Sequence, residues 1–253
     1  MDHSGSDEHD ALMGNDNQQA IDPTRSGDTP AFYIALASAL VLVLTTWTVI
    51  LSNDPINLSW FAFHPTFNTF AIACFTFGPF PLVSLDPRLT VCTHIGILTL
   101  QPTSQPKTKA AGLWRHQIAM ITGFLSIGLG SSAMWYNKES HGAPHITTWH
   151  GAFGSIAGSW LLVQVLVGAG SVWFGGAAFG GGHRAKLVWK YHRLSGYLLL
   201  PFLLTTVHLG GAWSTWMTMT SAFVVRLVVY TLAPLGIVAA LYSRVRPSKM
   251  KFL

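Results

Sequence analysis

Charge is the scarcest feature of this chain. Only 10% of its 253 residues are Asp, Glu, Lys or Arg, while 50% are hydrophobic; a soluble domain carries about 25% charged residues. So little polar surface excludes a water-soluble enzyme and makes the chain an integral membrane protein, with the lipid bilayer as its first partner. Cysteine is almost missing too. Cys74 and Cys92 cannot build a disulfide framework, and neither begins the C-x-x-C-H run that attaches a prosthetic group covalently. No basic run is interleaved with aromatics in a soluble segment, which speaks against nucleic acid as a partner. No repeat of 20–50 residues occurs, so a solenoid is excluded. The first thirty residues lack a basic stretch followed by a short apolar one, so no cleaved leader is expected.

The few charges are unevenly placed. Residues 1–30 hold seven of the ten acids and one base, Arg25, and are expected to form a disordered, solvated acidic tail. Residues 31–242 read as one six-helix domain, and 243–253 as a basic cytosolic tail. Apolar stretches of bilayer length, about 20 residues, run over 31–52, 56–78, 113–136, 145–173, 187–212 and 220–242. Trp47, Trp60, Trp135, Tyr136, Trp149, Trp213 and Trp216 lie toward their ends, as interfacial anchors do. Lys and Arg gather in alternate connections: Arg88, Lys107, Lys109 and Arg115 between helices 2 and 3, Arg184, Lys186, Lys190 and Arg193 between 4 and 5, and four bases in the C-tail. Of the bases in the other connections there is only Lys138. The positive-inside rule then puts both termini in the cytosol. Arg226, in the outer half of helix 6, departs from the pattern and is expected to snorkel outward.

Eleven histidines sort by depth. His3, His9, His94, His183, His141 and His145 fall in tails and loops and are expected to be solvated. His64, His116, His150, His192 and His208 fall inside spans, where an ionisable side chain is costly and points to function. Helices 2 and 4 both start outside, and His64 and His150 lie near those starts. Helices 3 and 5 start inside, with His116 and His192 near theirs. Each pair sits at one depth, which suits two bis-histidine haem irons, one per leaflet; zinc would ask for more ligands at one level. His208 follows His192 by sixteen residues, about 160° around the helix, and is not counted as a ligand. Gly123 and Gly130 share a stripe with His116; Gly154, Ala157 and Gly158 share one with His150, and Gly196 with His192. Such small residues suit a wedged macrocycle, and equally close helix packing in lipid.

FHPTF at His64, WRHQ at His116, TWHG at His150 and KYHRLSGY at His192 resemble the four haem-ligand motifs of the eukaryotic cytochrome b561 family. The NKES stretch at 137–140 and the 34-residue step from His116 to His150 fit as well. The resemblance covers 56–212 and is to the stand-alone members. It implies an all-α membrane protein of six transmembrane helices, with two non-covalent b haems in the four-helix core of helices 2–5. The implied pairing is His64 with His150 for the outer iron and His116 with His192 for the inner. It also implies single-electron transfer across the membrane, a transmembrane oxidoreductase taking electrons from cytosolic ascorbate and passing them to monodehydroascorbate or a ferric chelate on the far side. Lys109, Arg115, Lys190 and Arg193 are the candidate substrate residues beside the inner pair, with ordinary topological anchoring as the other reading of their charge. Where members often carry lysines ahead of the second ligand, Ala110 and Trp114 stand here, and Thr148 stands where some carry Asn. An endomembrane (endoplasmic reticulum, vesicle or vacuole) or the plasma membrane fits the class, and a homodimer is compatible with it.

Residues 79–96, PFPLVSLDPRLTVCTHIG, interrupt helix 2 with three prolines, Asp86 and Arg88. Joining Gly78 to Ile97 restores an apolar run, FNTFAIACFTFGILTLQP. The segment reads as a short intron retained in the gene model, the alternative being a genuine cytosolic loop. Two rival functions follow from the same spans. A non-redox transporter or scaffold would be colourless. A quinone-linked b-type cytochrome subunit would often pair ligands one helix length apart on a single helix, a spacing only His192 and His208 approach, and those two face apart.

Overall fold

The computed structural model describes residues 27–77 and 106–245, and every regular element in them is helical. The tail before residue 27, the 79–96 segment and the end of the C-tail lie outside the described residues. Six helical stretches run α1 Asp28–Ser52, α2 Phe63–Phe77, α3 Pro106–Ser140, α4 Trp149–Gly170, α5 Gly182–Trp213 and α6 Phe223–Arg244. All but α2 are long and apolar enough to cross a membrane. The described part of α2 stops at Phe77 and is preceded by a short helix, Pro55–Leu58, and a 3₁₀ turn, Ser59–Ala62. The chain is an all-α, multi-pass membrane protein.

Local chemistry sets the helix ends, and several differ from the expected spans. Asp28 lies in the first turn of α1, where a carboxylate favours the positive end of the helix dipole. Asn53 ends that helix by donating from Nδ2 to the Val49 carbonyl at 2.8 Å. α4 begins at Trp149 rather than 145, because the Thr148 hydroxyl accepts from the Gly151 N–H and caps it. α3 starts at Pro106 and α5 at Gly182, both earlier than expected. Lys107, Lys109, Arg184 and Lys186 are therefore helical rather than loop residues, and Lys138 lies in the last turn of α3. Lys and Arg are good helix formers, so the charge that marks a membrane boundary does not mark a helix end. The α4–α5 connection turns on Gly176, at φ +77°; a Cβ there would strike Ala185 and lie 3.0 Å from the Ser171 carbonyl.

The helices form a closed ring with two tight hairpins inside it. α2 packs along α3, α4 along α5, and α1 fills the space between α2 and α6. Glycines allow the close approach. A Cβ at Gly123 would run into the Phe75 ring, and one at Gly130 would lie 3.2 Å from the His64 carbonyl. A side chain at Gly236 would strike Ser38, so α1 and α6 meet as closely. Without a hydrophobic drive between helices in lipid, this small-residue packing supplies the association. At the end of α6 nearest α1, the buried Arg244 and Asp28 approach to 3.8 Å. The buried core comes mainly from α1, α2, α5 and α6, with Leu42, Ile72, Phe75, Leu200, Leu204, Ile237 and Leu241 among its largest members. Between the α2/α3 and α4/α5 hairpins the helices meet only sparingly. The histidine pairs cross that seam.

Candidate functional site

His64 and His150 each occupy the second position of their helix, after Phe63 and Trp149. His116 comes ten residues after Pro106, and His192 ten after Gly182. The starts moved from the expected positions, yet they moved together, so the depth match survives. At about 1.5 Å per residue the second pair lies roughly 15 Å into its helices.

The pairs meet. The Nε2 atoms of His64 and His150 face each other at 3.4 Å, with ring centroids 5.7 Å apart and planes at 87°. The His116 and His192 rings are 6.3 Å apart at 89°. Each ring of the first pair sets its Nδ1 against a backbone carbonyl: His64 at 3.1 Å from Gly130 O, His150 at 2.9 Å from Thr206 O. A carbonyl only accepts, so in these contacts Nδ1 carries the proton and Nε2 keeps its lone pair. Two lone pairs then point at one another in a medium of low dielectric. That arrangement suits a cation shared between them, and His64 and His150 would together hold a b-type haem iron. In the second pair His116 Nδ1 is buried with no hydrogen-bond partner, whereas the backbone of Gln164 stands beside the His192 ring. Among the described residues no group of three or more His, Cys, Asp or Glu converges, so the pairs suit an iron whose remaining ligands come from a macrocycle. On these observations the residues fit haem.

One interval recurs in both hairpins. Gly130, which receives His64, follows His116 by fourteen residues; Thr206, which receives His150, follows His192 by fourteen. Fourteen residues make about 3.9 turns and 21 Å of helix, so histidine and receiving carbonyl share a side of the helix at two depths. α3 and α5 thus each serve both levels.

Two glycines missed on the sequence make room for the rings. A Cβ at Gly168 of α4 would lie 2.8 Å from His192 Cε1, and one at Gly210 of α5 would lie 2.7 Å from both Cε1 and Nδ1 of His150. Each sits on the helix facing its histidine, so a search along the histidine's own helix passes over it. The stripes singled out on sequence mostly serve helix packing instead: Gly123 and Gly130 meet α2, and Gly196 meets the Gln164 amide. Of these stripe glycines, Gly158 opens on free space, with nothing within 4 Å of an added Cβ.

The other described histidines lie away from the two pairs. His208 Nδ1 lies 3.0 Å from the Tyr230 carbonyl and 3.1 Å from Thr231 Oγ1, and its Nε2 accepts from the Trp213 indole at 3.1 Å. The carbonyl it meets belongs to a π-helical turn, Val228–Leu232, inside α6. His145 corrects an expectation. It is only 22% exposed, paired with Glu139 at 2.9 Å and stacked on Trp135 at 3.8 Å, because the loop folds back on the last turns of α3. His141 and His183 are exposed as expected, and His94 lies outside the described residues. Arg226 does reach back to the connection before α6, donating to the Ser221 carbonyl at 2.7 Å and to Thr218 at 3.3 Å.

Of the candidate substrate residues, Arg115 and Arg193 directly neighbour His116 and His192 and are half-buried. Lys190, also half-buried, lies over the Tyr191 ring at 5.1 Å. The side chain of Lys109 lies outside the described residues.

A family model described as eukaryotic cytochrome b561 matches residues 88–218, just over half the chain. His116, His150 and His192 fall inside the matched stretch, and His64 precedes it. No curated protein and no solved structure matches the chain.

Proposed function

Because this chain belongs to the eukaryotic cytochrome b561 family, whose members transfer electrons across membranes through b-type haem, we propose that it holds two such haems, one between His64 and His150 and one between His116 and His192. The donor is cytosolic ascorbate and the acceptor is monodehydroascorbate or a ferric chelate on the opposite side. The opposed imidazoles carry this reading: two ring pairs, each near perpendicular, each joining different hairpins, at two depths. Haem iron supplies a reversible one-electron change when bound. The chain supplies the rest. Neutral imidazoles present Nε2 without adding charge to the hydrocarbon interior. Backbone carbonyls of Gly130 and Thr206 hold two rings in the right tautomer and orientation. Arg115, Lys190 and Arg193 raise the local concentration of an anionic reductant at the end where His116 and His192 lie.

The deciding experiment is the visible spectrum and pyridine haemochrome of the purified protein. Two b haems per chain, extractable with acid-acetone, are expected. A colourless protein, or haem that resists extraction, overturns the reading.

A further inference from the structure

His64 has a second neighbour that His150 lacks. Asn68, one turn further along α2, places its Nδ2 3.1 Å from His64 Nδ1, the same distance as the Gly130 carbonyl. Its Oδ1 is buried with no hydrogen-bond partner and lies against Gly130, where an added Cβ would come within 3.1 Å of it. These neighbours make opposite demands. The Gly130 carbonyl asks Nδ1 to donate, whereas an amide N–H asks it to accept. A ring that uses Nε2 as a ligand carries its proton on Nδ1, so Asn68 would set a donor against a donor and leave a buried acceptor idle. The two ends of a carboxamide have the same shape, and hydrogen bonding decides which end faces which neighbour. Half a turn of the amide removes the clash and gives the idle oxygen its donor.

We propose that Asn68 is a positioning residue for His64, its carboxamide oxygen joining the Gly130 carbonyl as a second acceptor for the Nδ1–H. The proposal rests on His64 and His150 holding one of the haems. Acceptors on Nδ1–H push electron density toward Nε2 and make the ring a stronger ligand to ferric than to ferrous iron. Around the His64/His150 pair there are three such acceptors, Gly130 O, Thr206 O and the Asn68 amide. Around the His116/His192 pair the Gln164 backbone stands beside His192, and His116 Nδ1 is buried without a partner. The asymmetry makes the His64/His150 centre the one of lower reduction potential, so an electron standing at the His116/His192 centre has to be driven onward by the donor–acceptor pair. Asn68 adds to that difference from one side only.

The test is a spectroelectrochemical titration of the purified holoprotein, with haem content and low-temperature electron paramagnetic resonance of the ferric state, comparing wild type with Asn68→Leu and Asn68→Asp. His64→Ala identifies the component that belongs to this centre. Asn68→Leu keeps the shape and removes the acceptor; both haems stay, the His64-linked component titrates at higher potential with a changed ferric g-value, and the other component does not move. Asn68→Asp restores the acceptor and brings the component back to or below its wild-type position. An Asn68→Leu protein whose His64-linked component titrates as in wild type, or whose two components shift alike, overturns the proposal. If Asn68→Leu loses one haem, Asn68→Asp decides: two haems retained support the acceptor role, and loss in both variants refutes it. Retention of both haems in His64→Ala is a different failure, which removes the haem assignment itself.

Discussion

Replacing Gly210 by alanine should weaken one centre and spare the other. The new methyl would sit 2.7 Å from two atoms of the His150 ring, where comfortable contact begins at about 3.5 Å. The ring must withdraw by roughly 0.8 Å. Its Nδ1 is held 2.9 Å from the Thr206 carbonyl, one turn before Gly210 on the same face of α5. A withdrawal of that size stretches the bond to about 3.7 Å, past hydrogen-bonding range. The lost bond costs about 1 kcal/mol and the overpacking about 1–3 kcal/mol. Together they amount to about 2–4 kcal/mol, or roughly 30- to 700-fold in retention of the ligand geometry at about 1.4 kcal/mol per tenfold. The assay is haem content per chain with the two spectral components resolved by redox titration. One component should be lost or shifted, the His116/His192 component should persist, and Gly158→Ala, which meets nothing within 4 Å, should match wild type. A Gly210→Ala protein with two unshifted components would refute the reasoning, since the ring would then have room that the helix contacts deny it.

Alanine at His64 or His150 should remove one b-haem component and alanine at His116 or His192 the other, whereas His208→Ala should keep both, because His208 is already bonded to α6 and Trp213; loss of the same component in the His64 and His116 variants would break the pairing. Gly123→Val should lower the thermal midpoint and release both haems together, since it parts α2 from α3 at Phe75 rather than displacing one ring; differential scanning fluorimetry beside absorbance at the haem bands checks this. Charge-neutralising Lys190→Gln with Arg193→Gln should slow ascorbate reduction in oriented vesicles without lowering haem content. The difference should shrink at high salt, since exposed charges are screened beyond about 8 Å at physiological ionic strength; equal rates at low salt would leave those residues a topological role only.

The depth of the four paired histidines was legible because depth in a membrane helix is a residue count. A shared error in the helix starts cancels: α3 begins at Pro106 and α5 at Gly182, so His116 and His192 shifted by similar amounts. Faces were less legible. The stripe of Gly123 and Gly130 lies on the correct side of α3, but that side meets α2, and sequence periodicity does not say which neighbour a face will find. Gly168 and Gly210 were invisible for the same reason, since their partner is a ring on another helix. His145 escaped because its shelter comes from Trp135 and Glu139 folding over a loop, which no count of apolar residues reports. Arg226 was legible in direction but not in partner; the carbonyls it meets come from the turn at Thr218 and Ser221.

Close helix contact explains why the histidines cross the seam instead of pairing within a hairpin, and the fourteen-residue interval ties the two levels together. Inside each hairpin the helices are too close for anything to intervene: Gly123 admits Phe75, and Gly130 admits the backbone at His64. A flat group needs a gap, and the sparing contact between hairpins is where one is available. A histidine at one level of α3 or α5 and a receiving carbonyl at the other then follow from a phase requirement. Fourteen residues return to nearly the same angle, about 40° short of four full turns, so on each long helix the histidine and the carbonyl that receives its hairpin neighbour's ring stand on nearly the same side. A spacing of twelve or sixteen would turn the carbonyl by about 120° or 160° from its histidine and take it away from the neighbour's ring. Each long helix therefore anchors one ring through its side chain and steers another through its backbone, and the seam is held at two depths by the same pair of helices.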